Sequence, residues 1–388
     1  MKKMELLRVF YLSLIYFQAS LALEIDLYRQ SFDEQENRFF FKPHPNPWDN
    51  NDSVALNKFM NSEYYGIIKV GNPAKDFKFI FDTSWADVWI PSQHCGLTEI
   101  ACRLHARYDG LKSSTYKENG TLIKINGSNY SLEGIVSIDE FHLPHLPIKN
   151  QSFIEMTHMS WIPFALQAAD GYIGLGFQSL SNTGTTPLFY NFRKQYTKSL
   201  PIVTFYMNRD ATTDKAGKVI FGGVDRKHLN SSLTEIPVKK KEYWEIQMDR
   251  MVVDFFNKSY PVCQTGCTAI IDTSTQAITG PPKDITRINN LLEAIEIFPF
   301  WPYRYMVNCR EYAKLPDVEL VFLGKSFIIN SRYYIDHLTY QGVEICLSPF
   351  VPDPTLVNIW EIGGAFLMQF YTEYNYDKGT ISIGKTVF

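Results

Sequence analysis

What this sequence lacks narrows it before any motif is considered. It has no excess of positive charge. Thirty-eight Lys and Arg stand against 41 Asp and Glu, a formal net charge of −3, so the basic face of a nucleic-acid binder is not expected. Nor is it acidic enough for a protein built for strongly acidic fluid. It carries no low-complexity tract and no long run of like charges. Beyond the first residues, no segment is long and apolar enough to span a bilayer. Gly171, Gly174 and Gly176 lack the spacing and the following helix of a dinucleotide fold, and there is no Gly-x-Ser-x-Gly elbow. His142 and His145 have no third ligand beside them in the sequence. No metal and no cofactor is expected.

What is present suits a large exported β protein. The 388 residues are 45% hydrophobic and 15% aromatic, enough for large cores in two or three domains. Lys2 and Lys3 precede an apolar run over 6–17, interrupted by Arg8. Ser20-Leu21-Ala22 then offers a small-x-small cleavage site, the pattern of a signal peptide over 1–22. A membrane anchor is the rival explanation, but the apolar stretch is short for a span. Six cysteines in a secreted chain suggest disulfides, and their order (Cys95, Cys102; Cys263, Cys267; Cys309, Cys346) permits three local loops. Sequence alone leaves fifteen pairings open. Cys263 and Cys267 lack the second close pair of a zinc site. Seven Asn-x-Ser/Thr acceptors, at Asn51, Asn119, Asn126, Asn129, Asn150, Asn230 and Asn257, are candidate glycan sites.

Short strand-like runs separated by Gly, Pro, Asn and Asp persist along the chain, and only 186–196 and 286–297 are expected as helices. The class is mostly β. Within that texture the chain repeats itself. Phe81-Asp82-Thr83-Ser84 is echoed by Ile271-Asp272-Thr273-Ser274, and each copy runs on to a proline, Pro91 and Pro281. Tyr172-Ile173-Gly174 and Glu361-Ile362-Gly363 follow, with the glycines 92 residues (82 to 174) and 91 residues (272 to 363) downstream. Glu361 breaks the apolar character of the second copy. Two similar β lobes, each presenting one aspartate, follow from that spacing.

Two lobes can bring their aspartates face to face across a cleft. Like charges that close cannot both ionise, so the pair shares a proton. The ionised member can polarise a water against an amide carbonyl while the protonated member serves the carbonyl oxygen.

At this point the sequence resembles the pepsin-like aspartic proteases, over nearly everything after Val54. The resemblance rests on Asp82 to Pro91 with Trp89, on Asp170-Gly171-Tyr172-Ile173-Gly174-Leu175-Gly176, on Phe221-Gly222-Gly223, on Tyr243-Trp244, on the second segment from Ile271 to Pro281, and on the closing stretch from Trp360 to Gly384. It implies a two-lobed fold with a cleft between homologous β lobes, an N-terminal lobe with a flap over 54–228 and a C-terminal lobe over 229–388. It implies catalytic Asp82 and Asp272, and the disulfides Cys95–Cys102, Cys263–Cys267 and Cys309–Cys346. Residues 23–53 would occupy the place of a propeptide.

The departures from the family pattern concentrate at the chemistry. Both motif glycines are serines, Ser84 and Ser274, whose side chains should crowd the dyad or hydrogen-bond it. Trp85 stands where the family has a supporting Ser or Thr after the first motif. The second lobe keeps that hydroxyl as Thr275. A gap-free count through the flap puts Gly127 at the position of the cleft-covering tyrosine, with Tyr130 three residues on as a partial substitute. Asn126 and Asn129 fall on the same tip. The leader carries seven acids against three bases (Arg29, Arg38, Lys42), so it would repel an acidic cleft. Gly363-Gly364 replaces the Gly-Asp of many relatives.

Two functions are therefore carried forward. The first is a secreted homologue, extracellular or in a secretory or lysosome-like compartment, with impaired or lost catalysis, similar to inactive family members such as the aspartic-protease-like cockroach allergen. Its cleft or surface would bind a peptide or protein ligand. The alternative is an active endopeptidase working at acidic pH through Asp82, Asp272 and a bound water. No membrane anchor and no nucleic-acid partner are expected.

Overall fold

The computed structural model describes residues 22–29, 64–127, 130–144, 146–161, 164–208, 216–255, 258–297, 305–340 and 343–387. The expected signal peptide, except Ala22, and the leader beyond Arg29 lie outside them. So do Asn51, Asn129, Asn257 and His145.

Strands dominate. A thirteen-stranded sheet runs from the C-terminal half (Thr234–Pro237, Thr380–Lys385, Phe370–Asn375) through Ile202–Met207 and Gly217–Phe221 into the N-terminal lobe. The sheet thus crosses the boundary expected at 228. The remaining strands of the C-terminal half build three smaller sheets.

Within the leader, Leu23–Arg29 is a strand in the middle of the large sheet. It pairs antiparallel with Gly217–Phe221 on one side and with Tyr64 and Tyr65 on the other. Its alternation is that of a one-sided strand, with Leu23, Ile25 and Leu27 buried in the main core. Fully burying such side chains stabilises by about 1.5–3 kcal/mol each.

The two longest helices are Leu188–Gln195 and Pro282–Leu291. The first lies within the span expected. The second starts four residues before its expected span and ends earlier, and Ile295–Glu296 is a strand. Pro282 explains the start, because a proline at the first helical position gives up only an N–H that the helix leaves unused. No helix among the described residues is long and apolar enough to cross a membrane. Cys95–Cys102, Cys263–Cys267 and Cys309–Cys346 are joined as disulfides.

The sequence repeat is a structural repeat. In the first lobe, Lys75–Asp82 pairs parallel with Gly171–Gly174, placing Asp82 opposite Gly174. In the second, Cys267–Ile271 pairs parallel with Ile359–Ile362, and the Asp272 N–H donates to the Ile362 carbonyl at 3.1 Å. The glycines are required by close approach. A Cβ on Gly174 would lie 2.3 Å from the Ala86 carbonyl carbon, and one on Gly363 2.4 Å from the Thr275 carbonyl oxygen.

Candidate active site

Each aspartate ends an apolar strand. Phe77, Phe79 and Phe81 point into the main core and Asp82 follows; Ala269 and Ile271 do the same before Asp272. Strand pairing stops there, and the chain turns, leaving both carboxylates buried at the junction of the lobes.

The turns are tied to each other by the two threonines. Thr83 Oγ1 donates to the Ile271 carbonyl at 2.7 Å and accepts the Thr273 N–H at 3.1 Å. Thr273 Oγ1 donates to the Phe81 carbonyl at 2.6 Å and accepts the Thr83 N–H at 3.1 Å. All four residues are buried, so this crossed set exchanges no bonds with water.

The serines act directly on the carboxylates. The Ser84 N–H and Oγ–H both donate to Asp82 Oδ1, each at 2.7 Å. Ser274 repeats this on Asp272 Oδ1, with both bonds at 2.8 Å. Each hydroxyl also faces the partner aspartate and favours its ionised form. Burial raises both carboxyls above the ordinary range, and for Asp82 the Asp272 charge adds to it. The serine donors oppose that rise. Burial and like charge thus oppose full ionisation of the pair, while the hydroxyls at Oδ1 of each aspartate favour it.

The support after each motif is lopsided, as the sequence suggested, but by different atoms. Thr275 Oγ1 accepts the Ala277 N–H at 3.2 Å, and it is the Thr275 backbone N–H that favours ionised Asp272. The Trp85 carbonyl accepts the Gly176 N–H at 2.6 Å. Its ring packs on the apolar cluster of Trp89, Ile154, Met156 and Phe164, and its indole N–H is buried with no hydrogen-bond partner among the described residues. That indole fills space beneath the flap.

The flap is the hairpin of Lys117–Asn126 and Ser131–Leu143. The Gly127 N–H donates to the Tyr130 carbonyl at 2.9 Å, and the Tyr130 ring covers Gly127 so closely that a Cβ there would sit 2.4 Å from Cε1. The ring meets Phe164 edge to face at 5.7 Å. Burial raises the Tyr130 hydroxyl, and so does the nearby Asp82. Tyr130, not Gly127, brings the aromatic ring toward the dyad. The acceptors Asn119, Asn126, Asn150 and Asn230 are all exposed.

Two neighbours of the dyad did not emerge from the sequence as site residues. Tyr243, 39% exposed, is raised by burial and then by Glu361, Glu242 and Asp82. Glu361, treated above as a blemish in the repeat, is half-buried and raised to about 7, first by burial and then by Asp272, Asp353 and Asp82. A charged residue in an otherwise apolar repeat was the available signal. The space of the missing aspartate at Gly364 is taken by Gln276, whose Oε1 would lie 2.0 Å from a Cβ there.

Other candidate clusters belong to structure. His142 Nε2 lies 3.1 Å from the Gly71 carbonyl inside a strand pair. Cys309, His337 and Cys346 lie close together, but the two sulfurs are bonded to each other and offer no thiolate.

The model of the eukaryotic aspartyl protease family matches residues 63–386. Cathepsin D of Gallus gallus is 37% identical over 336 residues, covering 86% of this chain and 83% of the relative. Cathepsin D of Clupea harengus is 32% identical over the same shares, and that of Dictyostelium discoideum 32% identical over 88% of this chain and 90% of the relative.

Proposed function

Because this chain belongs to the eukaryotic aspartyl protease family, we propose that it binds extended polypeptide in the cleft beside Asp82 and Asp272, with hydrolysis there severely slowed or lost. One observation carries this. Oδ1 of each aspartate already accepts two donors, the N–H and the hydroxyl of the serine two residues on.

The chemistry of the family requires one ionised aspartate to draw a proton from a water as that water adds to the peptide carbonyl. The other aspartate donates its proton to the carbonyl oxygen. Water must sit between the carboxyl groups to do so. Here Ser84 Oγ and Ser274 Oγ donate to Oδ1 of the two carboxylates, oxygens that such a water would use. Their bonds stabilise the ionised carboxylate, which makes it a weaker base. They would also compete with the water for those oxygens, and a misplacement of about 1 Å costs on the order of 100-fold in rate. Binding is not affected in the same way, because the cleft and its aromatic flank (Tyr130, Phe164, Trp85) remain.

A second function keeps specific support, that of an endopeptidase active at acidic pH. The crossed threonine bonds are complete, and Tyr130 supplies an aromatic ring near Asp82. In either case hydrolysis would need water and the two aspartates alone. The amino-terminal pattern, the disulfides and the exposed acceptors support a secreted glycoprotein, with a peptide or protein as ligand and no membrane anchor.

Retention on immobilised pepstatin without cleavage of unfolded globin between about pH 3 and 6 is the expected outcome. Robust cleavage abolished by Asp82→Asn would reject impairment in favour of the endopeptidase. Failure to bind pepstatin would reject the binding cleft.

A further inference from the structure

The strand Ile359–Ile362 turns Trp360 and Ile362 into the main core. Alternation therefore sends Glu361 to the opposite face, beside Ile270 on one neighbouring strand and Thr279 on the other. Ile270 stands two residues before Asp272, so the face that carries Glu361 is the face from which Asp272 projects. Glu361 feels both Asp272 and Asp82, and Tyr243 feels Glu361 and Asp82 together.

The same repeat position in the first lobe is Tyr172, whose hydroxyl accepts the Gln167 Nε2–H at 2.6 Å and whose ring stacks on Trp89 at 4.7 Å. The first lobe thus carries a neutral, partnered group there and the second carries an acid. Among the described residues no Lys, Arg or His is paired with Glu361; the charges around it are Asp272, Asp82 and Asp353, all of its own sign. A carboxylate removed from water without a counterion is costly. It either holds a proton or awaits a cation that comes with something else.

We propose that Glu361 reads a cationic side chain, lysine or arginine, of the polypeptide lying in the cleft next to the residue gripped by the dyad. This rests on the cleft binding polypeptide, as argued above. The ligand's ammonium or guanidinium would approach an acid already desolvated on one side. Coulomb attraction is then less diluted than at a surface. It would also offset the repulsion that Asp82 and Asp272 impose on Glu361. An acidic ligand side chain at the same place would meet three carboxyl groups and be rejected.

The test uses the mature protein and short fluorescent peptides centred on statine, whose hydroxyl mimics the tetrahedral intermediate. One peptide carries norleucine at every other position. The others replace one norleucine by lysine, at each position flanking the statine in turn. Norleucine binding at about pH 6, where the dyad keeps its proton, first shows the cleft competent. Anisotropy titrations at about pH 7, where Glu361 begins to ionise, should then show one lysine position binding about tenfold tighter than norleucine, a typical value for a partly desolvated charge pair. In Glu361→Gln the lysine and norleucine peptides should bind alike, and binding of either shows the variant's cleft to be folded. Norleucine binding without any favoured lysine position overturns the inference and leaves the binding cleft standing. A lysine preference that survives in Glu361→Gln also overturns it. Binding of neither peptide by the wild type overturns both.

Discussion

Thr83 and Thr273 hold one another's strands, each hydroxyl donating to the carbonyl just ahead of the other's aspartate, at 2.7 and 2.6 Å. The two turns that carry the dyad are therefore held to each other by bonds between lobes, in addition to the serine and strand bonds within each lobe. Truncating one hydroxyl leaves a buried carbonyl and a buried N–H unpaired. Thr83→Ala is expected to lose about 1–3 kcal/mol in urea unfolding. The double variant with Thr273→Ala should lose less than the sum, with a coupling of at least about 0.5 kcal/mol, because both changes break one crossed set.

Ser84→Gly with Ser274→Gly removes two hydroxyls and two β-carbons from the mouth of the dyad. Neither serine is held at positive φ, so glycine is not needed for the backbone and costs about 0.5–1 kcal/mol in each turn. The double variant should cleave a quenched globin-derived peptide on the order of 100-fold faster than the parent at acidic pH. Each single variant should gain much less, since one hydroxyl still obstructs the water. A silent double variant would shift the cause to Trp85 or the flap.

Glu361 makes stability depend on pH in a direction opposite to most surface acids. Its folded value, about 7, lies above the ordinary 4.5. The folded chain thus holds a proton that the unfolded chain has released in that interval. The contribution is fully present below about pH 4.5 and is lost as pH rises through about 7. Its ceiling is about 3 kcal/mol, reduced by partial exposure. Asp82 and Asp272, raised by burial, act with the same sign; Asp353 and Tyr243 are the other titratable groups around Glu361. Unfolding by urea at pH 5 and pH 8 should show the parent losing stability between them. Glu361→Gln should lose clearly less.

Leu23–Arg29 should stay in place when the chain is cut behind it. It is paired on both edges and buries Leu23, Ile25 and Leu27. A protease site engineered within 30–63 is expected to give two fragments on a denaturing gel but a single species in gel filtration. Urea should separate them. Separation without denaturant would show that the pairing contributes little.

Much of this was visible in residue order. The duplicated Asp-Thr-Ser and its downstream glycines are local patterns, and the structure places them as matching parallel strand pairs. What escaped depended on direction or register. Counting without gaps set Gly127 at the flap position, whereas hairpin geometry brings the Tyr130 ring back over it. Glu361 breaks an apolar repeat in the sequence, and only strand alternation tells which face it occupies. Summed charge over 23–53 is blind to the period-two alternation at Leu23, Ile25 and Leu27. The second long helix begins ahead of its periodic apolar residues because Pro282 starts it.

The leader strand has one more consequence. An inhibitory peptide is usually pictured as a plug, gone once it is severed. A strand stitched between Gly217–Phe221 and Tyr64–Tyr65 belongs instead to the foundation on which both lobes stand. Severing it would create a noncovalent heterodimer, and losing it would open two sheet edges in the middle of the molecule. For this chain, a cut behind Arg29 would not by itself release the strand, and the persistence of a small peptide alongside a large one would be a sign of integrity.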